Sequence, residues 1–197
     1  MTLVGRLPAH ERRRQLLDTA TRVFADTGFH DTTMAQIAET AGVTKPVLYQ
    51  HFASKRDLYL AVLEDVSDRL RAAVLDAAGT AETPRAQVEA GFRAYVAAVT
   101  EDRWGFRLLF SGVNRQDDEF EQVSSRAEGM MASGIAQLLV VAGLAEEHRL
   151  VLAHGVVGMA EGMVRHWLTG ASNLTAHELV SDLTALAWAG LRGLTHP

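Results

Sequence analysis

Hydrophobic positions in this chain recur every three to four residues from one end to the other, and no alternating apolar and polar run survives more than a few residues. That pattern predicts an all-α protein. Leu16, Leu17, Ala20, Val23 and Phe24 form one apolar stripe, on a helix entered at Pro8 and left at Gly28. Met34, Ile37, Ala38 and Ala41 stand at i, i+3, i+4 and i+7, a second and shorter stripe. Thr33 can cap that helix, with Gln36 at capping-box spacing. Gly42 supplies the left-handed residue that a helix end favours, with Val43 turning inward behind it. A third short helix starts at Thr44, with Val47, Leu48 and Phe52 as its inward candidates. Phe24, Ile37, Val47 and Phe52 are expected at the centre of this three-helix head, while Thr44, Lys45 and Tyr49 share an outer face.

Ser54 and Asp57 make a second capping box, opening a helix that runs through Leu58, Val62, Val66, Leu70 and Val74 to Ala78-Gly79-Thr80. It is long enough to join a head to a body. Thr83 caps the next helix, with Pro84 at its favoured first position and Val88, Phe92, Tyr95, Val96 and Val99 along it. After Glu101-Asp102 comes a short aromatic-rich piece, Trp104, Phe106, Leu108, Leu109 and Phe110, ended by Gly112, and then a polar loop over 114–119. A seventh helix carries Val123, Met130, Met131, Ile135, Leu138 and Leu139 and closes at Gly143. The last two span roughly Glu146–Thr169 and Thr175–Leu191, with Thr175 and Glu178 as a third capping box. Gly155, Gly158 and Gly162 lie along one face of the eighth. A glycine inside a helix costs about 1 kcal/mol relative to alanine, so three on one side point to a close helix approach. No internal repeat or low-complexity tract interrupts this order.

Composition narrows the chemistry. Without cysteine the chain has no disulfide, no thiolate metal site and no Cys nucleophile, which fits a reducing cytoplasm. The start, MTLVGRLPAHERRR, has no apolar core of signal-peptide length, so secretion is not expected. The longest uncharged run, Gly129 to Ala145, falls short of a membrane span and reads as a buried helix. The formal net charge of −5 is unevenly spread: residues 1–60 carry 8 basic against 6 acidic side chains, and residues 61–197 carry 11 against 18. A slightly positive head on an acidic body implies that only the head meets a polyanion. Arg12, Arg13 and Arg14 crowd the beginning of the first helix against its dipole, which suits either phosphate contacts or a solvated basic turn. Lys55 stands equally against the dipole of the fourth helix unless an anion, such as a DNA phosphate, sits nearby. A short helix with one buried side and a cationic, aromatic and hydroxyl outer side suits a DNA major groove.

The run IAETAGVTKPVLYQHFASKRDLYLAVL resembles the DNA-binding domain of the TetR family of bacterial transcriptional repressors. The likeness covers about residues 10–65, and its Gly-Val-Thr-x-x-x-Leu-Tyr-x-His-Phe-x-x-Lys pattern is specific; the rest matches in length and helical pattern alone. The resemblance implies a head over residues 1–53 and a ligand-binding and dimerisation body over 54–197. It implies that Thr44, Lys45 and Tyr49 touch bases or nearby phosphates, that Pro46 meets a thymine methyl, and that Thr33, His51 and Lys55 hold the backbone. Gln50 is variable in the family and tunes specificity there. The last two helices pair with their twofold mates in such proteins, which assigns Leu152, Gly155, Val156, Gly158, Gly162, Leu183, Leu186 and Trp188 to a homodimer surface.

The resemblance further implies a small molecule held in the body. Phe92, Tyr95, Trp104, Phe106, Phe110, Met130 and Met131 offer aromatic and thioether surface for an apolar or amphipathic ligand, joined by Val66 and Leu70 of the fourth helix. His154, Glu161, Arg165 and Tyr95 are candidates for polar contacts. The same stripe reads equally as plain core. The expected protein is a dimeric, cytoplasmic repressor released by ligand from a palindromic operator in double-stranded DNA, without cofactor, metal or membrane. Two other classes compete. His154 and Glu161, seven apart on one helix face, allow a His–carboxylate pair, but no nucleophile motif, HExxH spacing or Gly-rich phosphate loop accompanies them. A helical ligand- or partner-binding module that has lost DNA function is opposed by the intact head motif.

Overall fold

The computed structural model describes residues 8–110, 117–139 and 144–193. The helix ends expected at Gly112 and Gly143 lie outside these residues, as does the first half of the 114–119 loop, whose last two residues, Asp118 and Glu119, already begin a helix. Among the described residues there are nine helices and no strand: α1 (Ala9–Asp31), α2 (Met34–Thr40), α3 (Lys45–His51), α4 (Lys55–Gly79), α5 (Pro84–Glu101), α6 (Arg103–Leu109), α7 (Asp118–Leu138), α8 (Glu146–Leu168) and α9 (Ala176–Arg192). No described helix is long and apolar enough to cross a membrane. The residues group into two compact units: those up to Ser67 with Asp102–Ser124, and Asp68–Glu101 with those from Ser125 on. Residue 53 therefore falls inside the first unit, which also takes in the first half of α4 and all of α6.

Helix ends follow local chemistry. Pro8 is the N-cap of α1, and Gly28 interrupts it with φ +81° before a last turn reaches Asp31. Thr33 and Gln36 exchange both bonds of a capping box. At the other end of α2 the Val43 N–H reaches Ala38 O at 2.9 Å and the Gly42 N–H reaches Glu39 O at 3.0 Å. That pair of bonds turns the chain through Gly42 at φ +67°. At α4 the Ser54 hydroxyl accepts from Asp57 N, while the Asp57 carboxylate takes the Ala53 N–H rather than that of Ser54.

In the first unit α1 packs against α2 and α6. Leu16, Ile37, Leu48, Leu58, Val62 and Leu63 are fully buried, with Phe24 and Phe52 beside them. Val47, expected at the centre, is only half-buried; Leu48 takes its place, since it shares a helix face with Phe52 four residues on. Phe24, Phe29, Tyr59 and Phe120 form an aromatic cluster, with Tyr59–Phe120 and Phe29–Phe120 centroids 4.6 and 4.9 Å apart. Gly105 lets α6 approach α4: a Cβ there would lie 2.8 Å from Val66 Cγ1. In the second unit α9 packs on α5 and α8, burying Leu179, Val180, Leu183, Thr184 and Ala187. Gly134 of α7 plays a similar part to Gly105, since a Cβ there would overlap the Leu75 side chain.

Candidate nucleic-acid interface

Seven residues of α3, preceded by Thr44, carry the outer face predicted from sequence. Thr44 is the N-cap, yet its hydroxyl makes no capping bond. Lys45 and Pro46 open the first turn and are exposed, Tyr49 is 50% exposed, and Gln50 is exposed beside it. The buried side of the same helix rests on Leu48, which leaves the opposite side to solvent. The structure thus brings Thr44, Lys45, Pro46 and Tyr49 together on one solvent-facing surface of mixed donor, cation and apolar character. His51, half-buried, ends the helix.

Two expected backbone-holding residues are already occupied. Thr33 uses its N–H and hydroxyl on Gln36 Oε1, at 2.9 and 3.0 Å. Lys55 has a different task from the phosphate contact expected of it. Its ammonium donates to Phe29 O at 2.7 Å, His30 O at 3.0 Å and Thr32 O at 2.8 Å, and lies 4.6 Å from the Phe29 ring centre. Three donors meet three carbonyls, so the negative partner anticipated at this helix start is the C-terminal end of α1.

The arginines at the start of α1 also turn inward. Arg12 Nη1 donates to Gln15 Oε1, Arg13 Nη1 to His51 O, and Arg14 Nη1 to both oxygens of Asp65 at 2.7 and 2.8 Å. These tethers escaped the sequence reading, because partners 38 and 51 residues away leave no local trace. Arg56, next to Lys55, meets Asp117 and Glu119 at the start of α7, and nothing in the spacing announces that.

The residues assigned to a ligand are divided between the two units. Val66, Trp104, Phe106 and Phe110 belong to the first unit; Leu70, Phe92, Tyr95, Met130, Met131 and His154 belong to the second. Val66, Phe92, Tyr95, Phe106 and Met131 are buried, and Leu70 and Phe110 half-buried. Trp104 and Met130 are exposed, because Gly105, Phe106, Leu108 and Leu109 take the inner face of α6 and Met131 and Ala132 that of α7. His154 is exposed too, its Nδ1 3.7 Å from Glu128 Oε1. Glu161 pairs with Arg165, so the two halves of the imagined His–carboxylate pair have other partners. Burial pushes the Tyr95 phenol well above its usual range, opposed by the charge of Arg165.

Of the proposed dimer residues, Leu183 is fully buried within its own chain. It stands on the buried face of α9 with Leu179, Val180, Thr184 and Ala187, and so belongs to the interior. Leu186, three residues on, is 57% exposed, Leu152, Val156 and Trp188 are half-buried, and Gly155, Gly158 and Gly162 are exposed with nothing within 4 Å of an added Cβ. No group of three His, Asp or Glu able to hold a metal occurs among the described residues.

Comparison with known proteins agrees with the head and extends beyond it. Residues 16–62 match the family model described as bacterial regulatory proteins, tetR family. The HTH-type transcriptional activator FasR of Mycolicibacterium smegmatis is 35% identical over 188 residues, 95% of this chain and 86% of that protein. The HTH-type transcriptional regulator BetI of Rhizobium meliloti is 39% identical over 93 residues, 47% of this chain and 45% of its own. Among solved structures, a TetR-like transcriptional regulator from Rhodococcus sp. RHA1 superposes with a TM-score of 0.73 at 29% identity, covering 96% of this chain and all of that one. The chain belongs to the tetR family of bacterial regulatory proteins: it is a DNA-binding transcription regulator with an N-terminal helix-turn-helix, and not an enzyme.

Proposed function

We propose that the protein binds a palindromic operator as a homodimer through the outer face of α3, and that it represses transcription until a small apolar or amphipathic molecule releases it. The observation that carries the DNA reading is the unspent, exposed set Thr44, Lys45, Pro46 and Tyr49 on a helix seated by Leu48. Thr44 and Tyr49 supply hydroxyls, Lys45 a cation for a base edge or phosphate, and Pro46 an apolar surface for a thymine methyl. His51 and Thr33 flank this surface on the backbone side, Thr33 by turning its hydroxyl away from Gln36. Lys55 is left out, its donors being engaged. Two heads on a dyad read half-sites about 34–36 Å apart or a multiple of that. A ligand favouring the conformation with wrongly spaced heads lowers DNA affinity, typically by about 1–3 kcal/mol.

Tyr49→Ala tests the reading. On a duplex selected by the wild-type protein from fragments of the source genome, the variant should lose specific retardation while remaining dimeric by sedimentation. Retardation like that of the wild type would remove α3 from the interface.

A second reading concerns the sign of control. The relative FasR, similar over nearly the whole chain, is named as an activator. Activation fits the same DNA contacts if the operator lies beside the promoter rather than across it. Footprinting the selected fragment against its transcription start separates the two.

A further inference from the structure

Helix α1 grips the α2–α3 segment on either side of α3's outer face, at the C-terminus of α2 and at the C-terminus of α3. Gln15 Nε2 donates to Ala41 O at 3.1 Å, and Arg12 Nη1 holds Gln15 Oε1 at 2.5 Å. Ala41 caps the C-terminus of α2, where carbonyls lack helical partners. At the far end Arg13 Nη1 donates to His51 O at 3.4 Å, and its guanidinium carbon stands 4.5 Å from the centre of the Phe52 ring. Phe52 is 1% exposed and caps the C-terminus of α3. The two grips bracket Thr44 to Gln50. A seven-residue helix is too short to be stable alone and depends on contacts from the rest of the fold.

We propose that Arg13 and Gln15 are positioning residues for DNA reading: they set the angle and register at which α3 presents Tyr49 and its neighbours, and they do not themselves contact DNA. The proposal rests on α3 being the base-reading helix. It gives Arg13 a task other than neutralising phosphate. A phosphate contact needs only charge, whereas this one needs a planar group that both stacks and donates.

The test uses Arg13→Lys, which keeps the charge and removes the plane, and Gln15→Met, which keeps the bulk and removes the donor. Full-length dimers are titrated on the duplex selected by the wild type and on a scrambled duplex of equal length, across a range of salt. Amide hydrogen exchange of residues 45–52 is followed without DNA. Each variant should bind the selected duplex about tenfold more weakly. Its affinity for the scrambled duplex and its salt slope should be unchanged. Exchange in α3 should quicken while that in α9 does not. If Arg13→Lys binds as the wild type does, and Arg13→Ala flattens the salt slope by about one, Arg13 is a phosphate contact and the proposal falls. Unchanged exchange in α3 overturns it as well. Tyr49→Ala is run alongside: should it bind normally, the reading of α3 fails and the proposal with it, even where exchange quickens.

Discussion

Arg56 and Asp117 face each other with two side-by-side bonds, Nη1 to Oδ2 at 2.8 Å and Nη2 to Oδ1 at 2.7 Å, across 61 residues of chain. Arg56 Nε also reaches Glu119, and the guanidinium lies 4.6 Å from the centre of the Phe120 ring. Asp117 meanwhile caps α7, accepting from Glu119 N at 3.1 Å and Phe120 N at 3.3 Å. One guanidinium thus fastens the first turn of α7 to the first turn of α4, just beyond the helix-turn-helix, and roofs the aromatic cluster below.

That fastening has a pH signature. The Arg56 bonds foremost, with the capping N–H groups helping, lower the Asp117 carboxyl from 3.8 to about 2. A carboxyl whose folded pKa lies below its unfolded value stabilises the fold fully above the unfolded value and loses that contribution as pH falls through the folded one. The contribution of Asp117 should therefore fade between about pH 4 and about pH 2. Comparing urea midpoints of the wild type and Asp117→Asn across that range checks it. The gap between the two should shrink as pH falls, and a gap independent of pH would refute the assignment.

Lys55→Met removes the ammonium but leaves the stem over the Phe29 ring. Hydrogen bonds from a charged donor are worth about 1.5–3 kcal/mol each when their loss strands a partner. The three carbonyls here, those of Phe29, His30 and Thr32, are part-exposed and regain water. A loss of about 2 kcal/mol in total is expected, or about 4–8 °C in melting temperature. The effect should appear without DNA. If Lys55 acted only on phosphate, the melt would not move.

What could be read in the sequence was what neighbours decide. The caps at Thr33 and Thr175, the turn at Gly42 and the stripe Leu16–Leu17–Ala20–Phe24 follow from spacings of three and four residues, and each stands where it was expected. Even the oddity at Lys55 was legible as a demand for negative charge; only the source, carbonyls 23 to 26 residues back, was not. Phe120 shows the limit. It is a single aromatic in the acidic run DDEFEQ, and its burial depends on Phe29, Arg56 and Tyr59, residues far away along the chain. Leu183 and Leu186 show another limit, since helical phase separates two faces of α9 without saying which one its own chain covers.

Among the described residues of the first unit, Gly105 is the glycine with least room for a side chain. An added Cβ would stand 2.8 and 2.9 Å from the two methyls of Val66 and 2.7 Å from Asp102 Oδ2. Val66 is buried and β-branched, so it has no free rotamer to retreat into. Asp102 cannot move freely either, because its carboxylate caps α6 through Gly105 N at 2.8 Å. Gly105→Ala should thus destabilise by about 1–3 kcal/mol, outweighing the gain of about 1 kcal/mol in helix propensity. Val66→Ala combined with it should recover part of the loss, a coupling that thermal melts of the double-mutant cycle would expose.

The outer faces of α8 and α9 make a different prediction. Val151 is 65% exposed and Leu186 57% exposed, and Gly155, Gly158 and Gly162 leave open space where side chains would stand. Apolar side chains beside a smooth glycine track suit a partner helix approaching closely, and a twofold axis would set this surface against its own copy. Leu186→Glu would then place a charge from each protomer in one apolar patch. The dimer should weaken by about 2 kcal/mol or more, roughly thirtyfold, in sedimentation equilibrium, and operator affinity should fall with it because one head cannot span both half-sites. Leu183→Ala, three residues away, should do the opposite. It empties a fully buried position and costs about 2–5 kcal/mol of fold stability, yet leaves the association constant of the folded protein nearly unchanged. If Leu186→Glu leaves the dimer intact, the twofold surface lies elsewhere on the chain.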